Sequence, residues 1–278
     1  MFYVRILVMM WLILLFSFVF GTIVGSFLNV LILRYNTGRT LGGRSACFSC
    51  GIPLASRELI PLISFVMLRG RCRSCGASIS WQYPAVEFIT GVVFTAVIYK
   101  QLFNLGQPAD LQFLTLNSYD LLSTFYFLLT SSLLIAITAY DIRHKIIPNG
   151  LVWILIAVSF LNLFISAGGM PSYYDLLAGP ILAAPFALIW LLSGGRAFGF
   201  GDAKLSLGLG WMFGLSGGIS VILLSFWIGG LVSLFLLFGL RKGFTMKSEI
   251  PFAPFLVVSA FLVYFFNFDF IGLADLIG

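Results

Sequence analysis

The stretch "GFGDAKL", Gly199–Leu205, places an aspartate behind two glycines in a chain otherwise built for lipid. Of its 278 residues, 60% are hydrophobic and only 9% are charged, against about a quarter charged in soluble domains. Mean hydropathy is +1.06. The chain therefore reads as an integral membrane protein, and most of its length goes into spans. The apolar run Ile6–Leu33 has 28 residues. That is longer than the h-region of a cleaved signal, roughly 7–15 residues, and no small-residue cleavage site is evident.

A helical span needs about 20 apolar residues. Eight segments qualify: 6–33, 84–103, 120–140, 151–167, 176–193, 203–217, 219–240 and 250–268. The sixth is short and glycine-rich (Gly208, Gly210, Gly214), as suits a buried or tilted helix packed closely on its neighbours. The expected fold is an all-α polytopic membrane protein of about eight helices. The expected division is 1–33 as first span, 34–83 as a small inserted domain and 84–278 as a membrane-embedded domain. With eight spans, segments 34–83, 141–150, 194–204 and 241–249 share one side and hold 14 of the 16 Lys and Arg. The positive-inside rule makes that side cytoplasmic and puts both termini outside. The net charge of +6 follows from this bias and needs no nucleic-acid partner.

All four cysteines lie in 34–83, as "CFSCG" (Cys47, Cys50) and "CRSCG" (Cys72, Cys75), 21 residues apart. Two C-x2-C knuckles can supply four thiolates to one tetrahedral zinc, and Gly51 and Gly76 suit the turns that follow. Paired disulfides are the rival reading, disfavoured in a reducing cytoplasm. A closed four-thiolate site would be structural, stapling a piece too small for a core of its own.

Of ten acidic residues, Asp110, Asp120, Asp175, Asp269 and Asp275 fall on the outer side in loops, at span ends or in the tail. Glu58 and Glu249 sit in basic loops, and Glu87 falls in the first turn after Pro84. Asp141, in "AITAYDIRHKIIPNG", ends the third span; Asp202 begins the sixth. Both stand at the cytoplasmic boundary, where ionisable groups are costly and tend to be functional. A structural role stays open, with Asp141 paired to Arg143 or Lys145 and Asp202 to Lys204. Two facing carboxyls would share a proton, one activating water and the other polarising a scissile carbonyl, without covalent intermediate or catalytic metal. Gly199 and Gly201 would clear the way for an extended substrate backbone. The lone His144 has no metal-spaced partner, and no phosphate-cradling glycine motif occurs.

Taken together, "GSFLNVLILR" (Gly25–Arg34), the cysteine knuckles, "RGRCRSCGASISWQYPAVEFITG" (Arg69–Gly91), Asp141 with "IIPN" (Ile146–Asn149), and "GFGDAKL" resemble the bacterial prepilin leader peptidases over nearly the whole chain. "IPFAPFL" (Ile250–Leu256) resembles a terminal motif that usually carries glycine where Ala253 stands, a departure expected to touch neither aspartate. The resemblance implies a membrane aspartic protease of the inner membrane. It would use Asp141 and Asp202, with Gly199, Gly201 and Lys204 in support, to cleave the basic leaders of type IV prepilins or pseudopilins at the cytoplasmic face. It also implies N-methylation of the new N-terminus with S-adenosylmethionine as donor, and a zinc-bearing cysteine domain. The alternatives are a proton- or ion-coupled transporter, a membrane scaffold docking through its zinc domain, and a presenilin-like protease sharing G-x-G-D.

Overall fold

A computed structural model describes residues 2–38, 40–103, 118–196, 198–239 and 250–270. The expected loop 241–249, with Glu249, and the residues Asp110 and Asp275 lie outside the described residues, as does most of the external loop 104–119. The helices are α1 (Phe2–Arg34), the short α2 (Ile63–Met67), α3 (Gln82–Phe103), α4 (Ser118–His144), α5 (Asn149–Ala167), α6 (Tyr173–Ser193), α7 (Phe200–Gly239) and α8 (Ala253–Phe266). A 3₁₀ turn covers Ser56–Leu59. Among the described residues the only β pairing is two isolated bridges, Ala46–Pro53 and Arg71–Ser78. Among the described residues six helices are long and apolar enough to cross a membrane, and α8 is a shorter apolar helix. The chain is thus an all-helical polytopic membrane protein.

The helix α7 merges the sixth and seventh expected spans. Its 40 residues would run about 60 Å if straight, about twice the hydrocarbon thickness. It does not run straight. Gly214 adopts φ 69°, ψ −174°, a conformation open essentially to glycine alone. A Cβ built on Gly218 would lie 3.6 Å from the Gly210 Cα. Residues eight apart in a continuous helix are about 12 Å apart. The chain therefore folds back at Gly214, and 200–213 and 215–239 are two arms of a helical hairpin. Eight long or apolar helical segments result among the described residues. The turn lies four residues earlier than the expected boundary at 218, because glycine freedom at 214 and not hydropathy places it.

The chain divides into two compact units, Met1–Ala136 and Ile137–Gly278, with the boundary inside α4. In the first unit α1 and α3 pack through small residues. A Cβ on Gly21 would stand 2.8 Å from the Gly91 Cα, and one on Gly25 would stand 2.7 Å from the Glu87 Cα. Apolar side chains gain nothing over lipid by association, so close backbone approach supplies the attraction. Asn29, 1% exposed, donates from Nδ2 to the Tyr83 carbonyl at 3.1 Å. In the second unit a Cβ on Gly210 would stand 2.7 Å from the Gly179 Cα. Pro180 has no N–H to give the Leu176 carbonyl; the Trp211 indole Nε1 donates to that carbonyl instead, at 3.0 Å. A helix-breaking residue is thus tolerated because a neighbouring helix satisfies the backbone.

Candidate active site

Asp141 occupies the last turn of α4, where Lys145, at φ 54°, turns the chain out of the helix. Pro148 then caps α5. Asp202 lies in the first turn of α7. The two carboxyls are 4% and 6% exposed, and they lie within electrostatic reach of each other. The sequence places both aspartates at helix ends on one side, and the second unit sets these two ends close together.

Each carboxyl is held by a backbone N–H. Gly199 donates to Asp202 Oδ2 at 3.2 Å, and the Asp202 N–H returns a bond to the Gly199 carbonyl at 3.1 Å. The Asp202 Oδ1 is buried with no protein partner. Asp141 is hydrogen-bonded by the backbone of Ala253, the first residue of α8. That N–H is one of the donors a helix start leaves unpaired. The departure from glycine at 253 was expected to touch neither aspartate. It does touch one, through its backbone, which an alanine supplies as well as a glycine.

Gly201 serves a different contact from the one expected. A Cβ there would stand 2.7 Å from Ile147 Cβ, so its bare face seats the "IIPN" turn against the start of α7. At Gly199 a Cβ would meet the Asp202 carboxyl at 3.5 Å and the Gly201 backbone nitrogen at 3.9 Å, both ordinary contacts. Lys204 Nζ donates to Asn149 Oδ1 at 2.8 Å and lies 5.0 Å from the Phe200 ring centroid. It thereby ties α7 to α5. His144 faces back along its own helix, Nδ1 at 3.2 Å from the Tyr140 carbonyl and the ring 4.2 Å from the Tyr140 ring.

Sequence reading missed a ring cluster behind the carboxyls. Phe198, beside Gly199, and Phe252, beside Ala253, have ring centroids 5.2 Å apart. Phe186 of α6 and Phe226 of α7 complete the group, the former 5.4 Å from Phe198 and the latter 5.1 Å from Phe252. The two backbone donors are thus joined through one aromatic contact. The signal was present for two of them, since Phe198 and Phe252 each directly precede a motif residue, but 30 phenylalanines in the chain hid it.

In the first unit the four cysteines converge, with all Sγ atoms within 4.8 Å of one another. None is in a disulfide. Each knuckle closes in the same way: Gly51 N–H to the Cys47 carbonyl and Gly76 N–H to the Cys72 carbonyl, both at 2.9 Å, with the glycines at φ 72° and 73°. Cys47 and Cys75 Sγ are 3.8 Å apart. Zn–S bonds of 2.3 Å in a tetrahedron put the sulfurs about 3.8 Å apart, so the donor set fits zinc. Backbone N–H groups of Cys50 and Ser49 hold the Cys47 thiol down to about 6. A backbone bond from Ala77 favours the Cys75 thiolate, but desolvation and the neighbouring thiols outweigh it and push Cys75 up to about 11. A cation among them would remove that conflict by stabilising all four thiolates.

Glu58 and Glu87 are engaged locally. Glu58 Oε2 accepts the Ala55 N–H at 2.7 Å, and the buried Glu87 Oε2 accepts the Leu62 N–H at 2.8 Å. Asp175 exchanges hydrogen bonds with Ser172 at the start of α6, and Asp269 accepts from Ser216.

Residues 19–101 match the model of the bacterial peptidase A24 N-terminal domain, and 128–234 that of the type IV leader peptidase family. A protein of Xanthomonas campestris pv. campestris named prepilin leader peptidase/N-methyltransferase is 31% identical over 220 residues, 76% of this chain and 68% of the relative. The chain belongs to the type IV leader peptidase family. Relatives of the same name from Bacillus subtilis (30% identical, 90% of this chain, 93% of theirs) and Aeromonas hydrophila (29%, 91% and 90%) agree along nearly the full length. No solved structure matches the chain. The two family models fall one on each side of 102–127. The first covers the cysteine knuckles and the α1–α3 pair, the second both aspartates.

Proposed function

We infer that this chain is a membrane aspartic endopeptidase that removes leader peptides from type IV prepilins or pseudopilins and then N-methylates the new N-terminus. The observation that carries the peptidase reading is the buried pair Asp141 and Asp202, each held by backbone N–H groups, with Asp202 Oδ1 left unpaired. Family membership supports both activities.

Two carboxyls in contact share one proton, because both cannot ionise side by side. The ionised member accepts a proton from a water molecule as the water oxygen attacks the scissile carbonyl carbon. The protonated member donates to the carbonyl oxygen. The resulting gem-diol collapses when a carboxyl returns a proton to the amide nitrogen and the C–N bond breaks. Asp202 Oδ1 is the oxygen free to hold the water. The backbone donors keep both carboxyls aimed during the cycle.

The positive-inside charge distribution supports placing the site at the cytoplasmic face of the bacterial inner membrane, with both termini outside. A substrate with an apolar helix behind its leader would present its scissile bond at that depth. Cys47, Cys50, Cys72 and Cys75 would hold a structural zinc. S-adenosylmethionine is the methyl donor for the second activity, and no residues are assigned to it. A transporter reading finds no support, since both aspartates stand at helix ends and not in mid-span.

The test is intact-mass spectrometry of a prepilin incubated with solubilised enzyme and S-adenosylmethionine. Wild type removes the leader and adds a methyl mass. D141N and D202N each lose at least about 10²-fold in cleavage rate, the scale of general acid–base catalysis. Cleavage by either variant at the wild-type rate overturns the paired mechanism.

A further inference from the structure

The cysteine-bearing insert carries an apolar stripe that its own fold leaves uncovered. In α2, Ile63, Val66 and Met67 are spaced i, i+3, i+4, so they form one face, and they are 56%, 73% and 76% exposed. The opposite face is used: Phe65 packs on Trp81 with centroids 4.9 Å apart and lies beneath Gly70. Three bulky side chains facing water in a small metal-stapled domain would be costly.

Their position relative to the bilayer is set by one hydrogen bond. Leu62, immediately before α2, gives its N–H to Glu87 Oε2 in the second turn of α3. Leu62 is held at φ 60°, ψ −50°, an uncommon conformation for a leucine, so the start of α2 is pinned beside Glu87 by this turn and bond. On α3 the exposed apolar surface begins at Phe88 and Ile89, directly after Glu87. The α2 stripe therefore stands at the level where the span enters lipid. Trp81, 76% exposed at the foot of α3, belongs to the residue type that marks this interfacial layer. Exposed Arg69, Arg71 and Arg73 follow α2 in the chain.

We propose that α2 is an interfacial anchor, seating Ile63, Val66 and Met67 in the headgroup–acyl boundary of the same membrane while Arg69, Arg71 and Arg73 meet anionic headgroups. The insert is then not a freely solvated domain on a tether. It is docked on the bilayer surface at two points, through Glu87 to α3 and through α2 to lipid. Short apolar faces flanked by basic residues bind interfaces by this combination of burial and charge.

The experiment places the photo-crosslinking residue benzoyl-phenylalanine at Met67, or at Val66 on the same face should the first variant aggregate. The full chain is reconstituted in vesicles of phosphatidylethanolamine and phosphatidylglycerol. Position 88, lipid-facing on α3, is the reference. Lipid-mass adducts at 67 within about tenfold of those at 88, falling about fivefold when phosphatidylglycerol is replaced by phosphatidylcholine, are expected. Lipid adducts at 67 more than tenfold below those at 88, or adducts to peptides of a second chain, overturn the anchor. A yield indifferent to anionic lipid overturns the role of the arginines. None of these readouts depends on peptidase activity, so the anchor stands or falls separately from the proposed reaction.

Discussion

At Gly199 and Gly201 the same residue type does two different jobs two positions apart. Gly201 is a packing glycine, since a methyl group there would press on Ile147. Gly201→Ala is expected to cost about 1–3 kcal/mol through overpacking, lowering the thermal midpoint of the solubilised protein as well as cleavage. Gly199→Ala adds a methyl in ordinary contact with the Asp202 carboxyl and the Gly201 backbone nitrogen. It is expected to leave the thermal midpoint unchanged while slowing cleavage of a prepilin. Equal loss of stability in both variants would show that Gly199 too is a packing residue. Of the carboxylates, only Asp141 and Asp202 could be singled out from sequence, by their expected place at the cytoplasmic ends of spans. The orphaned Asp202 Oδ1 and the Ala253 donor could not, because both depend on which helix ends meet.

Between residue and whole fold stand the elements that hold these carboxyls. The Phe198–Phe252 contact joins the segment donating to Asp202 with the segment donating to Asp141. Phe198→Ala and Phe252→Ala are expected to lower kcat more than they raise KM. In a double-mutant cycle the pair should couple by about 0.5–1.5 kcal/mol, as aromatic pairs do. Additive effects would mean the rings act independently. The α7 hairpin rests on Gly214, whose φ of 69° and ψ of −174° no side chain accepts readily. Gly214→Ala should destabilise the protein by about 1–3 kcal/mol, read as a lower thermal midpoint. The cysteine knuckles form a further element. Metal analysis should find one zinc per chain, and Cys72→Ala or a strong chelator should raise hydrogen exchange across 44–78. Full protection without metal would contradict a structural zinc. Because bound thiolates compete with protons, zinc should be released as pH falls.

At the scale of the molecule, orientation is the expectation still open to direct measurement. With eight spans, fourteen of the sixteen basic residues share one side, and the positive-inside bias predicts residues 34–83 inside and both termini outside. Reporter fusions after residue 44 and at each end should give opposite readouts, and matching readouts would overturn the eight-span scheme. The hairpin at Gly214 is what makes that scheme possible, because it turns one apolar run into two segments of opposite direction. A single straight helix would have placed every later segment on the wrong side.

Hydropathy, charge and cysteine spacing could be read in one dimension because lipid acts on them locally. Each span must satisfy its own backbone and hide its own charge, so spans and knuckles were legible without contacts. Even so, local signals placed the sixth-to-seventh turn four residues late, since hydropathy is blind to the left-handed φ that only Gly214 supplies. What tertiary structure alone decided were pairings at a distance: Asp141 with the Ala253 N–H, Gly201 with Ile147, Phe198 with Phe252, and Glu87 with Leu62. The physical reason is common to all four. Each is a close approach between helix ends or loops far apart in sequence, and such approaches are set by the packing of bare glycine faces and rings, which no local pattern encodes.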